Sequence, residues 1–407
     1  MPLTRARAAA EAPTLLDALA RAPAAAALVV GALDELEYRR ALRLAHPQLR
    51  DAVGEATTKL CVYLPGAAAT RPPTPRRWPR LEAVSIGGPD LATIEALGAE
   101  TWERLRTLNL VHLDAPEALD EHSARALAAA LRRMPALRKL CLRRLTLSDA
   151  SGGELFCPEA APQLRSLALR GMFLTPKMAR LLASTGWRLE ELDVSGNARL
   201  GAAGVAALVA APAFAIRSLN LPFCGLDAAA LTALADAPWP LEELDLSHND
   251  FSAAAAGPAL AALSQHVGLR ALVVSYCKLS AAGFKALVEA AWPALTCLVA
   301  FDAQAQLDGP HALGAAAFAG FPVLEALMLS GVRLGEAGVR VLASRRWARL
   351  RRLDLCNTEL DAAGVAALAR GAWPALVRLD LRRNGLGVPP TLEDARRWAP
   401  PLVELRL

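Results

Sequence analysis

The stretch from Leu241 to Phe251 constrains the fold of this chain more than any other. It reads L-x-x-L-x-L-x-x-N-x-φ, where φ is an apolar residue. In an extended strand alternate side chains share a face, so Leu244 and Leu246 point to one side and the residues between them to the other. The amide of Asn249 can bond backbone groups of neighbouring coils. The segment therefore predicts a short strand that ends in a tight turn.

The same pattern starts thirteen times along the chain, and successive starts are 24 to 32 residues apart. The starts are Leu81, Leu105, Leu137, Leu164, Leu189, Ile216, Leu241, Leu269, Leu295, Leu324, Leu350, Leu376 and Leu402. One unit cannot bury its own apolar face, whereas stacked units can, so the pattern predicts an array. Apolar residues at helical spacing among alanines, as at Val205, Leu208 and Val209, predict a helix in the second half of each unit.

These units resemble the leucine-rich repeat family from residue 81 to residue 407. The long units with helical second halves are similar to the ribonuclease-inhibitor-like subclass of that family. The resemblance implies an α/β leucine-rich repeat solenoid, a horseshoe with a parallel concave sheet and convex helices. It also implies about 12–13 repeats. A fold of this kind offers its concave sheet to a protein partner.

Composition and charge exclude several classes of protein. Apolar residues make up 54% of the chain, but no apolar run reaches the roughly 18–20 residues of a membrane span. The net charge is +5, and residues 65–80 alone supply four arginines and no acid. The repeat array is therefore close to neutral, which argues against a nucleic-acid groove. We expect neither nucleic acid nor membrane as a partner.

Seven cysteines are dispersed along the chain, without a C-x-x-C pair or a zinc-like spacing with histidine. Such a set is typical of a reduced, intracellular protein, so we expect a cytoplasmic or nuclear location. Cys224 and Cys277 occupy the turn position that Asn249 holds in its own unit, which predicts a structural role for both. The tryptophans lie two to four residues before repeat starts, which predicts a packing slot between helix end and strand. They are Trp78, Trp102, Trp187, Trp239, Trp292, Trp347, Trp373 and Trp398.

Residues 1–64 form a separate helical unit in this interpretation. Their segment from Pro23 to Val53 resembles a degenerate F-box, which implies docking to the adaptor of a cullin-type ubiquitin ligase. The adaptor-binding residues would be Pro23, Leu28, Val30, Leu33, Leu44, Leu49 and Val53. The segment departs from the family pattern at Ala22, His46, Pro47 and Leu49, where the family has leucine, cysteine, a basic residue and tryptophan. The alternative is a helical cap that shields the end of the array.

Two shorter segments connect this unit to the array. Residues 59–64 predict a short strand that could serve as a degenerate repeat before the first. Residues 65–80 are rich in proline and arginine and predict a solvated linker. The array then occupies residues 81–407, in which Gly204, Gly283, Gly338 and Gly364 recur at one register and predict a tight entry into the helix.

Catalytic constellations are missing from the sequence. None of the six histidines belongs to an H-x-x-x-H pair or a nucleophile motif, and the chain has no phosphate-binding loop. Acidic pairs occur at repeat-defined positions and therefore predict a surface patch, and His248 beside that patch is predicted to be solvated. We expect no enzymatic activity, no metal and no cofactor.

The outward strand positions define the predicted concave face. Along the array they change from basic to acidic, then apolar, then mixed basic. The predicted partner-binding residues are Val273, Tyr276, Val299, Phe301, Met328, Glu191, Asp193, Glu243, Asp245, Arg352, Arg378 and Arg382. Apolar anchors bordered by charge are typical of a protein interface, although the molecule could instead cover this face itself. The irregular segment 301–310 adjoins the apolar part and strengthens it as a candidate.

The leading hypothesis is a substrate-recruiting subunit of a cullin-type ubiquitin ligase, with residues 23–53 on the adaptor and the concave face on a substrate. The alternative is a plain binding or inhibitor scaffold with an N-terminal cap. A GTPase activator is a third class, because one such family uses similar repeats, but no motif supports it.

Overall fold

The computed structural model describes residues 59–63, 73–76, 78–111, 117–302, 313–387 and 389–407. The chain divides into two compact units, residues 1–164 and residues 165–407. The F-box-like segment 23–53 and most of the irregular segment 301–310 lie outside the described residues. Along the described part of the chain, no helix is long and apolar enough to cross a membrane.

The first unit contains a parallel sheet in which the strands follow chain order. Strands β1 (Lys59–Tyr63), β2 (Ala83–Gly87), β3 (Thr107–Val111) and β5 (Lys139–Arg143) are neighbours in that order. Strands β4 (Glu117–Leu119) and β6 (Leu145–Leu147) form a separate parallel pair. The helices are α1 (Leu91–Gly98), α2 (Glu121–Arg132) and α3 (Asp149–Leu155). Strand β1 pairs in parallel with β2, as expected of a degenerate repeat before the first.

The second unit repeats one strand and one helix through most of its length. Its strands are β7 (Ser166–Arg170), β8 (Glu191–Asp193), β9 (Ser218–Asn220), β10 (Glu243–Asp245), β11 (Ala271–Val273), β12 (Cys297–Val299), β13 (Ala326–Met328), β14 (Arg352–Asp354), β15 (Arg378–Asp380) and β16 (Glu404–Arg406). Its helices are α4 (Pro176–Ala183), α5 (Gly201–Val209), α6 (Ala228–Ala235), α7 (Ala256–Ala262), α8 (Ala281–Glu289), α9 (Gly335–Ala343), α10 (Ala362–Ala369) and α11 (Leu392–Trp398). A 3₁₀ turn, Leu263–Gln265, follows α7.

Every predicted repeat start is followed two residues later by a strand. Neighbouring strands are parallel and in register, so that Leu244 pairs with Leu219 on one side and Leu272 on the other. These leucines are almost completely buried, as is Leu246, because alternation turns them toward the helices. Burying one such side chain contributes roughly 1.5–3 kcal/mol. The α/β leucine-rich repeat solenoid predicted from the sequence is therefore confirmed within each unit.

Several helices begin at a side chain that caps their first turn, whereas α5, α7 and α9 have no side-chain cap. Asp227 accepts a hydrogen bond from the Ala230 N–H at 3.1 Å, and Asp361 accepts one from Gly364 at 2.8 Å. The recurrent glycines lie within this first turn. A Cβ on Gly364 would lie 2.6 Å from Leu360 Cδ1, so this glycine leaves room for the leucine that precedes the helix. The recurrence of glycine at this position thus reflects close packing where the helix begins.

The tryptophans fill one recurrent slot. Among the described residues, seven of the eight are buried, and Trp398 is half-buried. The indole N–H of Trp292 donates to the Leu287 carbonyl at 2.9 Å, in the last turn of α8. Trp102, Trp347 and Trp373 make the same bond to the residue five positions earlier. Each of these side chains therefore satisfies a carbonyl that the helix end leaves without an intrahelical partner.

A buried polar row closes the turns that follow the strands. Asn249 Nδ2 donates to the carbonyls of Leu221 and Leu246 at 2.9 and 2.8 Å, and its Oδ1 accepts from the N–H groups of Cys224 and Leu226. At the same repeat position, Cys224 Sγ lies 3.1 Å from the Val194 carbonyl of the preceding coil. Cys277 Sγ bonds the Leu246 carbonyl at the same distance. Both cysteines thus have the structural role that their position predicts.

Candidate functional site

The sheet of the second unit turns one face away from its helices, and we call it the open face. It corresponds to the predicted concave surface. The strand register aligns the third residue of each strand in one row. Within this row Val273, Val299 and Met328 are direct neighbours and half-buried, and we call them the apolar stripe. Phe301, two residues beyond Val299, is also half-buried, so the structure brings these four predicted residues together.

One side of the apolar stripe is acidic. Asp245 pairs with Val273 in the strand register, and Glu243 precedes it on β10. The Glu243 carboxylate accepts a hydrogen bond from Ser218 Oγ at 3.0 Å, and Asp245 accepts from the Ser247 hydroxyl. Neither carboxylate makes an ion pair within the part of the chain that the structure describes. Their charges are therefore available to a basic group on another molecule.

Two of the predicted acidic residues differ from this pair. Glu191 is exposed on β8 and bonds Ser166 Oγ at 2.7 Å, but strand β9 separates it from β10. Asp193 is buried, and Arg170 binds it at 2.6 Å. The prediction that Asp193 lies free on the surface is therefore wrong, because the neighbouring coil neutralises its charge.

The aspartates at the third strand position share a structural task. Asp193 accepts from the N–H of Ser195 at 3.0 Å, and Asp245 accepts from the N–H of Ser247 at 2.9 Å. Asp354 and Asp380 bond the N–H two residues later in the same way. These carboxylates fix the start of the turn. Their acidity alone is thus a weak sign of binding.

The other side of the apolar stripe is mixed and on balance basic. Arg352 is exposed on β14 and makes no ion pair with any of the described residues. Arg378 binds Glu404 at 3.0 Å, and Arg382 folds back onto Asp380 at 2.6 Å. Arg382 thus pairs with Asp380 while its side chain stays exposed, and its contact with a partner protein stays a prediction.

A shallow depression of about 160 Å³ lies beside Met328 on this basic side, between Arg352 and Arg378. Asp354 lines it, and burial together with the nearby Asp380 carboxylate raises the pKa of Asp354. The hydrogen bond from the Cys356 N–H opposes that rise. The depression therefore combines an apolar wall with an arginine whose charge no described residue neutralises.

Three aromatic rings stack where strands β9, β10 and β11 end. The Phe223 and His248 ring centroids are 4.0 Å apart with an interplanar angle of 11°, and those of His248 and Tyr276 are 4.7 Å apart with an angle of 13°. We call these three residues the aromatic ladder. Phe223 is 54% exposed and Tyr276 46% exposed. His248 is exposed, in agreement with the prediction that it is solvated, and its ring in addition lies between two others.

The aromatic ladder occupies one position of the repeat, the eighth from each start. Every residue at this position in the second unit's described repeats has a positive φ, including Phe223 at 56° and His248 at 58°. Aromatic side chains are rare in this conformation. The sequence carried the signal, because Phe, His and Tyr stand at the eighth position of three consecutive repeats. Inspection of the strand positions alone missed Phe223 and His248.

The buried thiols have raised pKa values, which disfavour the reactive thiolate form. Burial raises the pKa of Cys224 and of Cys277 to about 12. Burial also raises the pKa of Cys297, on the open face, although the nearby Arg352 guanidinium opposes the rise. Three or more histidine, cysteine or acidic side chains do not converge to hold a metal ion anywhere in the described residues.

Comparison with known proteins shows that part of this chain is similar to known leucine-rich repeats. A family model described as Leucine Rich repeat matches residues 189–209 and 240–256, which contain the starts Leu189 and Leu241. The chain is 33% identical over 177 residues to the ribonuclease inhibitor of Sus scrofa. That match covers 40% of this chain and 38% of the length of the relative. These two segments are thus similar to leucine-rich repeats, and the fold of each unit is that of a leucine-rich repeat solenoid.

Two solved structures are also similar. One is in the crystal structure of the Rad7 and Elc1 complex in yeast, with a TM-score of 0.51 and 14% identity over 99% of this chain and 98% of that one. The other is an internalin, inlF, of Listeria monocytogenes, with a TM-score of 0.41 and 14% identity over 91% of this chain and 94% of that one. The likeness to the yeast chain concerns the fold alone.

Proposed function

We propose that this chain is a protein-binding scaffold whose second unit holds an extended segment of another protein across strands β10 to β14. The observation that supports the proposal is the apolar stripe, which leaves three adjacent apolar side chains half-buried in a row that is otherwise polar except for the buried Ala168. Apolar anchors bordered by charge are the usual core of a protein interface. Leaving such a row in water costs free energy that a partner would recover.

The charges on the two sides of the apolar stripe define the orientation of the bound partner segment. Glu243 and Asp245 lie on β10, and Arg352 lies on β14. Adjacent strands are about 4.8 Å apart, so these two sides are separated by roughly 19 Å. An extended chain spans that distance in about six residues. The partner segment would therefore carry a basic residue, two or three apolar residues, and an acidic residue about six positions from the basic one.

The test is an affinity purification of the full chain, followed by quantitative mass spectrometry. Val299→Asp places a charge in the centre of the apolar stripe, and Val267→Asp is the matched control. Val267 is 70% exposed and lies between the 3₁₀ turn and strand β11, away from the open face. A partner of the stripe is lost with Val299→Asp and retained with Val267→Asp.

The same partner is then measured directly against purified variants. We expect Val299→Asp and Phe301→Asp each to weaken binding at least about 30-fold, the loss of a hot-spot residue, without unfolding the array. Circular dichroism checks that both variants keep the parent's fold. If a purified partner binds Val299→Asp and Phe301→Asp as tightly as the parent, the stripe is not its binding site and the proposal fails.

A finer form of the proposal makes the scaffold a substrate-recruiting subunit of a cullin-type ubiquitin ligase. It rests on the F-box-like sequence from Pro23 to Val53 and on the position of that sequence ahead of the repeats. Leu44→Asp and Leu49→Asp would abolish capture of a purified ligase adaptor, whereas Val267→Asp would leave it unchanged. Without adaptor binding by the parent chain, the N-terminal segment reverts to a cap and the plain binding scaffold remains.

A further inference from the structure

The aromatic ladder ends at Phe223, and the two coils before it carry glycine at the eighth repeat position. These residues are Gly196 and Gly171, which we call the glycine step. The Gly171 N–H donates to the Ser195 carbonyl of the following coil at 2.9 Å, and the Gly196 N–H donates to Pro222 at 2.8 Å. The N–H groups of the three ladder residues make the same bond to their following coils. The backbone of the row is therefore continuous, and the glycine step lacks only the rings.

The outer face of Phe223 is directed toward the glycine step. His248, on the coil of β10, covers the opposite face, and among the described residues no other ring lies on Phe223. More than half of Phe223 is exposed. A Cβ on Gly196 would have only the Gly171 backbone within 4 Å, and a Cβ on Gly171 would have no atom within that distance. A group that lies on Phe223 above Gly196 therefore displaces no side chain at these two positions.

The dimensions of the aromatic ladder suit one more ring. Its ring centroids are 4.0 and 4.7 Å apart, and the interplanar angles are 11° and 13°. This spacing follows from the coils, because neighbouring strands are about 4.8 Å apart. A planar ring above Gly196 would therefore lie about 4–5 Å from Phe223, a distance suited to stacking. Such a stacked pair contributes about 0.5–1.5 kcal/mol beyond the burial of its surface.

The charges near the glycine step disfavour a cation on Phe223. Arg170 and Asp193, on the two glycine coils, bind each other at 2.6 Å. Arg199, three residues after Gly196, is exposed and makes no ion pair with any described residue. The carboxylates of β10 are two strands away from the coil of β8. A neutral ring therefore fits this face better than a guanidinium or an ammonium group.

We propose that an aromatic side chain of the partner protein stacks on Phe223 above Gly196, as a fourth ring of the aromatic ladder. This inference rests on the proposed function, because it names one residue of the partner that the scaffold holds. Aromatic residues are enriched in protein interfaces, and a ring with two side-chain torsions loses little conformational entropy on binding. Phe173, two residues after Gly171, is also exposed and adds apolar surface on that coil.

The site also fixes the order of residues in the partner segment. Strands β8 and β9 lie on the side of β10 that faces away from the apolar stripe. The partner's basic residue is assigned to β10 by the proposed function. The aromatic residue therefore lies beyond this basic residue, at the end of the segment away from its apolar residues.

Two other occupants fit the glycine step less well. An aliphatic side chain would bury apolar surface on Phe223 but would lack the stacking contribution. A nucleotide could stack its base and bring its phosphate to Arg199. A nucleic acid strand, however, carries a charge on every nucleotide, and Arg199 is a single cation. Both occupants are therefore represented among the probes of the test.

The test is a fluorine NMR titration of the full-length chain labelled with para-fluorophenylalanine. Phe223→Leu identifies the Phe223 signal by its loss. The probes are N-acetyltryptophanamide, N-acetylleucinamide and adenosine monophosphate. We expect the tryptophan probe to shift the Phe223 signal through its ring current and to bind about 5-fold more tightly than the leucine probe. The signals of the buried Phe251 and Phe284 should not move.

Two tyrosine variants locate the site. Gly196→Tyr supplies a fourth ring from the chain itself, at the repeat position that Tyr276 occupies with a φ of 56°. Gly331→Tyr is the matched control, because Gly331 has the same repeat position and a φ of 78°, against 76° at Gly196. An added Cβ would lie 3.3 Å from neighbouring backbone at Gly196 and 3.1 Å at Gly331. We expect Gly196→Tyr to abolish the shift that the tryptophan probe causes at Phe223, and Gly331→Tyr to retain it.

A second pair of variants decides the question if circular dichroism shows that Gly196→Tyr does not fold. Phe223→Leu and Tyr276→Leu replace the rings at the two ends of the aromatic ladder, and both positions have a φ of 56°. The coil beyond Tyr276 has Asp302 at the eighth position, not glycine. Saturation-transfer NMR should show that the affinity for the tryptophan probe falls about 5-fold in Phe223→Leu and is unchanged in Tyr276→Leu.

Three results would each overturn the aromatic site. They are equal affinities of the tryptophan and leucine probes, equal effects of the two variants in the pair that folds, and tighter binding of adenosine monophosphate than of the tryptophan probe. Self-association of the parent chain that Gly196→Tyr abolishes in sedimentation velocity would assign the glycine step to a second copy, which also overturns the proposal.

The partner itself separates this failure from that of the apolar stripe. A partner captured through the stripe should bind Gly196→Tyr about 5-fold more weakly than Gly331→Tyr. Equal binding would overturn the aromatic site and leave the stripe intact. Val299→Asp should not change the affinity for the tryptophan probe. If the probe binds as expected while Val299→Asp retains every partner, it is the apolar stripe that fails.

Discussion

The two edges of the second unit's sheet use the same repeat for opposite purposes. Where the strands begin, charged side chains at the second repeat position alternate in sign. Arg165 lies 3.5 Å from Glu190, and Glu242 lies 2.5 Å from Arg217 and 3.7 Å from Arg270. Where the strands end, the eighth position carries the aromatic ladder. One edge pairs these charges with each other, whereas the other presents exposed aromatic rings.

The difference shows how a repeated position becomes either structural or functional. A side chain recurring every 25 or so residues meets its own counterpart about 4.8 Å away in the next coil. Opposite charges at such a position form ion pairs with each other, so little unpaired charge remains for a partner. Aromatic rings also stack on each other, but a stack always keeps an outer face. The aromatic edge, where the two preceding coils have Gly196 and Gly171 at the eighth position, therefore remains open to binding.

The largest expected effect concerns the thiols beneath the aromatic edge. A rise in pKa from 9.0 to about 12 lowers the thiolate fraction of Cys224 and Cys277 at pH 8 about a thousand-fold. We expect iodoacetamide at pH 8 to modify both thiols at least that much more slowly in the folded chain than in the chain unfolded in urea. Peptide mapping by mass spectrometry gives the rates. Comparable rates in the folded and unfolded chain would show that the aromatic edge opens readily.

The next effect concerns the polar row that holds this edge. Asn249→Ala leaves two buried N–H groups and two carbonyls without the amide, and we expect a loss of roughly 3 kcal/mol in unfolding free energy. Asn249→Cys is the matched variant, since the adjacent coils already use cysteine here, and roughly half that loss is expected. Urea unfolding gives both values. Equal losses would mean that the amide's acceptor oxygen contributes nothing.

A smaller effect is expected at the charged edge. Glu242→Gln removes the bonds to Arg217 and Arg270, which are largely exposed, so the loss should be about 0.5 kcal/mol in low salt. Screening at 1 M NaCl should abolish the difference between variant and parent. Melting temperatures at the two salt concentrations provide the measurement. A difference that persists in high salt would make this edge more than a set of surface ion pairs.

The smallest effect depends on pH and concerns Asp250, beside the aromatic ladder. Hydrogen bonds from Ser252, and then from Lys278, lower the pKa of Asp250 from 3.8 to about 2. Because the folded pKa is the lower one, this carboxylate stabilises the fold above about pH 4, and the contribution is lost between pH 4 and pH 2. Asp250→Asn should therefore differ slightly from the parent at pH 5 and match it at pH 2. NMR titration of the Asp250 carboxyl should give a midpoint near 2; a midpoint near 3.8 would contradict the assignment.

Much of the fold was predictable because apolar spacing sets it. The residue two positions after every repeat start begins a strand, and the buried cysteines replace asparagine as the alignment of repeats indicated. These features depend on local sequence and on contact between equivalent positions. The apolar stripe was predictable for the same reason, since alternation along each strand decides which face a side chain takes.

The parts that could not be predicted depend on which side chains meet across coils. Asp193 has the same motif position as Asp245, but the adjacent coil supplies Arg170 to one and no cation to the other. Arg382 folds back onto Asp380 two residues earlier, an ion pair that strand alternation does not reveal. The stacking of Phe223 on His248 requires a ring at the same position of consecutive coils, and strand periodicity does not reveal it.

The tryptophan slot gives this protein a set of internal fluorescent reporters. Where the indole N–H bonds the helix end of its own coil, as at Trp292 and Trp373, the emission of each ring reports on that coil. Trp398, in α11, is already half-buried in the folded state. If the chain unfolded coil by coil, the wavelength of its emission maximum would shift in stages, before the last helices unfold. If the chain unfolded as a whole, the emission maximum would shift once.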